Sequence, residues 1–394
     1  MSTPLPQGFH LAATSAGFKK SGKPDLSLLL SDQPATVAGV FTTNLFKAAP
    51  VQVAQAMLKE RTTARAVLIN TGQANACTGE EGIANCRRTL ELAGKAFVLD
   101  PADILPASTG VIGAQLKMDL WETAIPRLVK TLGSTTVEEY AAAMMTTDAF
   151  PKYASETVEL SGGKVVLTGT AKGAGMICPN MATMLSVVMC DADVRPEDWR
   201  PMFVRAAGLT YNRATVDGDT STNDTLYGLA GGATGICPRG KDLEKLEEAL
   251  VRVLGTLAYL LVKDGEGATK VIMIRVRGAA SNEDAEKAAR TVGHSQLVKT
   301  AMYGKDANWG RIVAALGRCG AFFNPAAVRV SLCGVELFAN EQPTNLDFDT
   351  LLKGPLEQRD LPLDIVLGDG PGCYELLASD LTHEYVSINA DYRS

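Results

Sequence analysis

Histidine is scarce in this chain. Its 394 residues include only His10, His294 and His383, and no HExxH motif occurs. A histidine-rich zinc site or a Ser-His-Asp triad is hard to build from so few. If the chain transfers acyl groups, its general base is expected to be another group. No CxxC pair occurs among the eight cysteines, at 77, 86, 178, 190, 237, 319, 333 and 373. Scattered through apolar contexts, they read as reduced core residues rather than a disulfide framework. There is no Lys/Arg run, and the net charge is −6. That balance gives no general attraction for nucleic acid or an anionic membrane. The longest helical apolar stretch, Val253 to Val262, is too short to span a bilayer and contains Gly255. The first twenty residues, MSTPLPQGFHLAATSAGFKK, lack the basic start and apolar core of a secretory signal. A cytoplasmic protein is therefore expected. No repeat, low-complexity tract or clear linker stands out.

What is present is a globular composition, 46% hydrophobic and 21% charged, in a chain with room for one large or two ordinary domains. Apolar periodicity predicts short strands at 8–13, 25–30, 36–43, 65–70 and 164–170. Helical spacing is expected over 50–59, 80–97, 118–132, 136–145, 196–209, 243–263 and 282–303. Strands return at 270–276, in a hairpin of 328–332 with 335–339, and at 363–367 and 374–388. This alternation argues for an α/β layered sandwich of sheets and helices.

The chain is organised around residues 171–192, AKGAGMICPNMATMLSVVMCDA. Lys172-Gly173-Ala174-Gly175 is a flexible segment carrying one cation. Met184 to Met189 is an apolar run that reads as a buried strand. Thr183 sits where the loop enters the strand. Threonine there is commonly a strand-entry residue, yet a rigid strand beside a pliable loop also suits a nucleophile. Ser108-Thr109-Gly110-Val111-Ile112-Gly113 reads first as a tight turn. Its hydroxyls and glycine N–H groups could equally form an oxyanion hole.

Two near-matches to known motifs fail on their chemistry. Asp217, Asp219 and Ser221 have the spacing of an EF-hand start, but Thr222 stands where glycine is needed and Gly228 where the bidentate glutamate belongs. Gly235 to Asp242 approaches a P-loop, but Asp242 replaces the magnesium-binding hydroxyl and would face phosphate. No metal site is expected.

Taken together, the motifs resemble one family along essentially the whole chain. They are Asn70-Thr71-Gly72-Gln73-Ala74-Asn75-Ala76-Cys77-Thr78-Gly79, Ser108-Thr109-Gly110, Met145-Thr146-Thr147-Asp148, Lys172-Gly173-Ala174-Gly175-Met176-Ile177 and Met181-Ala182-Thr183-Met184-Leu185. Beyond these come 217–224 (DGDTSTND), 264–268 (DGEGA), 304–311 (GKDANWGR) and 388–394 (INADYRS). The chain is similar to the glutamate N-acetyltransferase, or ornithine acetyltransferase, family of arginine biosynthesis. Ala378-Ser379 is a small departure from the family pattern and touches no site residue.

The resemblance implies a self-processed N-terminal-threonine nucleophile enzyme. Cleavage between Ala182 and Thr183 would give an alpha fragment, residues 1–182, and a beta fragment, residues 183–394, that fold together. The freed α-amine of Thr183 has an unperturbed pKa of about 7.7–8.0, suited to a general base. It would serve a ping-pong transfer of acetyl from N2-acetylornithine to glutamate. Thr109 and Gly110 match the oxyanion positions. Thr147, Lys172, Thr183, Glu266, Asn389 and Ser394 match substrate-binding positions, with Thr146 an alternative to Thr147. No cofactor is implied, though acetyl-CoA is a possible co-substrate, and an α2β2 heterotetramer is expected. The rival readings are an N-terminal-nucleophile amidohydrolase or peptidase, in which water takes the acyl group, and an unprocessed binding protein that keeps only the fold.

Overall fold

The structure, a computed structural model, describes residues 3–178 and 184–391. The chain divides into two compact units. Of the described residues, one unit comprises those up to Asn212 and Asp219–Leu261, the other Arg213–Gly218 and those from Val262 onward. The sequence carries no linker that announces this division, because among the described residues the chain crosses between units three times, after Asn212, Gly218 and Leu261, within ordered segments.

The first unit is built on a mixed sheet. Its strand order is Ile104–Val111, Thr63–Gln73, Leu26–Phe41, Thr225–Ala230, Leu185–Cys190, Gly163–Lys172 and Lys152–Leu160, with Phe9–Thr14 also paired to Leu26–Phe41. Both faces are apolar because successive residues of each strand go to opposite sides. Leu29, Val67, Ile69, Leu105, Val187 and Tyr227 pack with Tyr140 and Met144 of the helix Val137–Met144. Leu26, Leu28, Ala66, Leu68 and Ile104 pack with Leu90 and Trp121 of the helices Gly79–Phe97 and Met118–Lys130. A Thr136–Glu139 capping box starts the helix Val137–Met144, satisfying its first N–H groups.

The second unit centres on Val271–Ala279, parallel to Asp360–Val366 on one side and antiparallel to Gly372–Ser379 on the other. Ile272, Ile274 and Val276 face Ala285, Ala288, Ala289 and Val292 of the helix Asn282–Gly293. A side chain on Gly293 would lie 2.7 Å from Leu376, so glycine sets how closely that helix approaches the sheet. Two buried lysines act as ties. Lys270 donates to three successive carbonyls, Leu356 (2.6 Å), Glu357 (3.1 Å) and Gln358 (2.8 Å). Lys299 donates to the Val216 carbonyl at 2.7 Å and also to that of Ser379.

Several expectations change. The pieces at 25–30 and 36–43 are one strand, Leu26–Phe41, whose register shifts between Leu30 and Ala35. Ser108-Thr109-Gly110 is not a turn but the end of Ile104–Val111. The strands Lys152–Leu160 and Thr225–Ala230 are additional. The helix expected over 282–303 is two, since Ser295 caps a second helix, Gln296–Tyr303. The strand expected over 374–388 ends at Ser379, and a helix, His383–Asp391, follows. The last described element is therefore a helix. Only Cys86, Cys178 and Cys190 are buried, while Cys77 and Cys373 are exposed. The near-P-loop segment leads into the helix Lys241–Lys263, with Asp242 receiving the Ser161 N–H at 3.1 Å. Among the described residues no helix is long and apolar enough to cross a membrane.

Replacing Lys270 with Met leaves three backbone carbonyls without their cation. We expect a loss of about 2–4 kcal/mol in the second unit, read as an earlier urea transition at unchanged m-value.

Candidate active site

The Ser-Thr-Gly run is fixed by its neighbours in the first unit. Ile104–Val111 lies parallel to Thr63–Gln73, pairing Asn70 with Ser108, Thr71 with Thr109 and Gly72 with Gly110. Gly110 has φ +132°, and a Cβ there would lie 2.3 Å from the Gly72 carbonyl carbon. Only glycine meets both conditions. The Ser108 hydroxyl donates to Asn70 Oδ1 at 2.6 Å. Asn223 Nδ2 donates to the carbonyls of Ser108 (2.8 Å) and Ala74 (2.6 Å). These buried groups satisfy one another, and Thr109, half-buried, stands at the edge of the network.

Lys172 comes to the same place from another strand. It ends Gly163–Lys172, pairs with Leu185 across the sheet, and donates from Nζ to Thr109 Oγ1 at 3.3 Å. The next residue, Gly173, has φ +147° and donates its N–H to Asp148 Oδ1 at 2.6 Å. The same oxygen accepts from Lys152 Nζ at 2.6 Å, and Oδ2 accepts from the Thr146 N–H at 2.8 Å. Both side chains of the Asp148–Lys152 pair are fully buried. Burial alone would raise the Asp148 carboxyl, but the charges of Lys152 and Lys172 and the hydrogen bonds hold it well below the usual carboxylate range. Lys152 pairs directly with Asp148, and Lys172 adds a second positive charge beside the Thr109 hydroxyl, of the sign that suits a carboxylate or a developing oxyanion.

Thr147 is half-buried and follows Thr146, whose N–H is already engaged by Asp148. Of the residues expected in the site, Thr109, Gly110, Thr147 and Lys172 lie in the first unit. Glu266 and Asn389 lie in the second and meet there: Asn389 Nδ2 donates to Glu266 Oε2 at 2.8 Å. Glu266 is buried, while Asn389 is exposed on the helix His383–Asp391. Gly267, with φ +67°, lets that helix approach, since a Cβ would lie 2.8 Å from the Tyr385 nitrogen. Ala182, Thr183 and Ser394 lie outside the described residues.

Sequence reasoning gave no role to Asp148, Lys152 or Asn223. Asp148 and Asn223 stood inside quoted motifs as polar loop residues. The Asp-x3-Lys spacing of Asp148 and Lys152 was the visible signal, but nothing in the sequence says that both are buried.

Comparisons with known proteins agree along the chain. A family model described as the ArgJ family matches residues 10–394. The arginine biosynthesis bifunctional protein ArgJ of Nitratidesulfovibrio vulgaris is 64% identical over 389 residues, covering 99% of each chain. That of Geobacter sulfurreducens is 44% identical over 394 residues, covering 98% of this chain and 99% of its own. A crystal structure of the arginine biosynthesis bifunctional protein argJ from Bacillus halodurans, at 2.00 Å, is similar at a TM-score of 0.50 and 34% identity. The match covers 52% of this chain and 98% of that one.

Replacing Asp148 with Asn leaves the Lys152 ammonium buried beside a neutral amide. The expected cost is about 3–5 kcal/mol at neutral pH. The folded pKa of Asp148 lies below the unfolded value, so its contribution is complete above about pH 4 and is lost as the pH falls below that. Denaturant titrations at several acidic pH values should show a shallower acid loss in Asp148→Asn than in the wild type. Parallel pH profiles would count against the ion pair.

Proposed function

The chain belongs to the ArgJ family, and we propose that it is an acetyltransferase moving acetyl from N2-acetylornithine to glutamate in arginine biosynthesis. Acetyl-CoA is proposed as a second donor, because it would deliver the same group to the same hydroxyl. The observation that carries the reading is the Lys172–Thr109 contact. It is made from a strand end paired with Leu185, two residues along the chain from Thr183.

In the proposed mechanism the Thr183 hydroxyl attacks the Ala182 carbonyl, the peptide C–N bond breaks, and an ester forms. Water opens the ester, leaving a carboxyl on Ala182 and a free α-amine on Thr183. That amine takes the hydroxyl proton as oxygen attacks the acetyl carbonyl of the donor, then passes it to the departing ornithine nitrogen. Glutamate nitrogen attacks the acetyl-threonine, N-acetylglutamate leaves, and the hydroxyl is restored. Thr109 and the Gly110 N–H would stabilise the oxyanion in each half. Lys172 suits a substrate carboxylate, Glu266 an ammonium, and Thr147, Asn389 and Ser394 orientation. The cycle is redox-neutral and its acyl carrier is a side chain, so it requires no cofactor.

The sheet order supports lasting association of residues 1–182 with residues 183–394. Leu185–Cys190 and Thr225–Ala230, from the second piece, lie between Leu26–Phe41 and Gly163–Lys172 from the first. The Bacillus halodurans crystal chain, spanned by about half of this one, is in keeping with a divided polypeptide. An α2β2 assembly in the cytoplasm completes the proposal.

Intact mass and N-terminal sequencing test it. The wild type should give two pieces, the second beginning Thr-Met-Leu-Ser. Thr183→Ala should stay whole and transfer no acetyl. An uncut, active wild type would sink the mechanism, and release of acetate in place of N-acetylglutamate would favour a hydrolase.

A further inference from the structure

Lys19 is a cation that the proposed mechanism does not use. Its backbone N–H donates to Asp25 Oδ2 at 2.8 Å, and the Ala16 N–H donates to Asp25 Oδ1 at 2.5 Å. Asp25 is fully buried, so the segment carrying Lys19 is held firmly. That segment crosses Gly72 closely: a Cβ on Gly72 would lie 3.2 Å from the Phe18 backbone. Gly72 is the strand partner of Gly110.

The ammonium lies in the same neighbourhood. Lys19 Nζ donates to the Pro24 carbonyl at 2.9 Å and to the Ala143 carbonyl at 3.4 Å. The Ala143 carbonyl also accepts from Thr71 Oγ1 at 3.1 Å. Thr71 pairs with Thr109, whose hydroxyl accepts from Lys172. Among the described residues no carboxylate forms an ion pair with Lys19, although an ammonium has three protons to give. Burial first, and then the like charges of Lys172 and Lys23, lower its pKa to about 8 against the opposing pull of Asp25 and Asp148. Like charges so arranged repel, and an anion bound beside them would relieve that repulsion.

We infer that Lys19 is a second carboxylate-binding cation of the site and sets its preference for an acceptor with a side-chain carboxylate. This rests on the acetyltransfer reading above. The donor brings one carboxylate and an ammonium, whereas glutamate brings two carboxylates. Lys172 accounts for one of them, and Lys19 supplies the other contact. The alternative is that Lys19 only binds the last-turn carbonyl of the helix Val137–Met144, which is favourable for a cation but would not discriminate between acceptors.

The test is acceptor selectivity, as kcat/KM for L-glutamate over that for L-2-aminobutyrate, which lacks the side-chain carboxylate. Lys19→Met should lower this ratio about 10- to 100-fold, and Lys19→Arg should keep most of it. An unchanged ratio in an active Lys19→Met protein overturns the inference. Should that variant fail to fold, inhibition of the wild type by glutarate and butyrate decides. Glutarate should bind more tightly, with the advantage fading as the pH rises through about 8, and equal inhibition overturns the inference. A wild type that transfers no acetyl to glutamate overturns the functional reading itself, and this inference with it.

Discussion

The buried carboxylate of Asp148 fixes the geometry of the first unit's site. One oxygen holds Lys152 and the Gly173 N–H, and the other holds the Thr146 N–H. The segment 146–152 and the residue that follows the strand Gly163–Lys172 are thereby brought to one point. An isolated buried carboxylate would be very unfavourable, so the arrangement stands only because Lys152 neutralises it at 2.6 Å. Lys172 gains from this twice. Its backbone is anchored through Gly173, and the direct partner of Asp148 is Lys152. A single ion pair thus serves both folding and electrostatics.

Much of the layered architecture could be read from the sequence. Amphipathic helices such as Gly79–Phe97 and Pro196–Leu209, and apolar runs such as Leu185–Cys190, carry periodicities that survive into the fold. The misreadings have physical causes. Lys152–Leu160 carries Glu156 and Glu159 and is only partly buried, so its pattern is weak. Thr225–Ala230 contains Gly228, which weakens the strand pattern, and a side chain there would lie 2.3 Å from Phe203, so the glycine is a packing requirement. The turn read at Ser108-Thr109-Gly110 was a strand whose hydroxyls are occupied by neighbours that no local window contains.

The site was legible differently. Thr109, Gly110 and Lys172 were named from motif resemblance, and the structure brings them together in one unit. Asp148, Lys152 and Asn223 act through tertiary burial, and local sequence does not report burial of charge. The unit division was equally hidden, since the short segment Arg213–Gly218 joins the second unit through its strand pairing with Leu377 and Ala378 and the Lys299 tie.

The strand order has a thermodynamic consequence if the chain is divided before Thr183. In the intact chain, Leu185–Cys190 finds Gly163–Lys172 as the other half of its own hairpin, an intramolecular search with a modest entropic cost. After division the same ladder must form between separate molecules, and two strands of one must be seated between strands of the other. Stability then depends on protein concentration, and dilution after denaturation works against reassembly. The native state would be one that the chain reaches while whole and retains once divided.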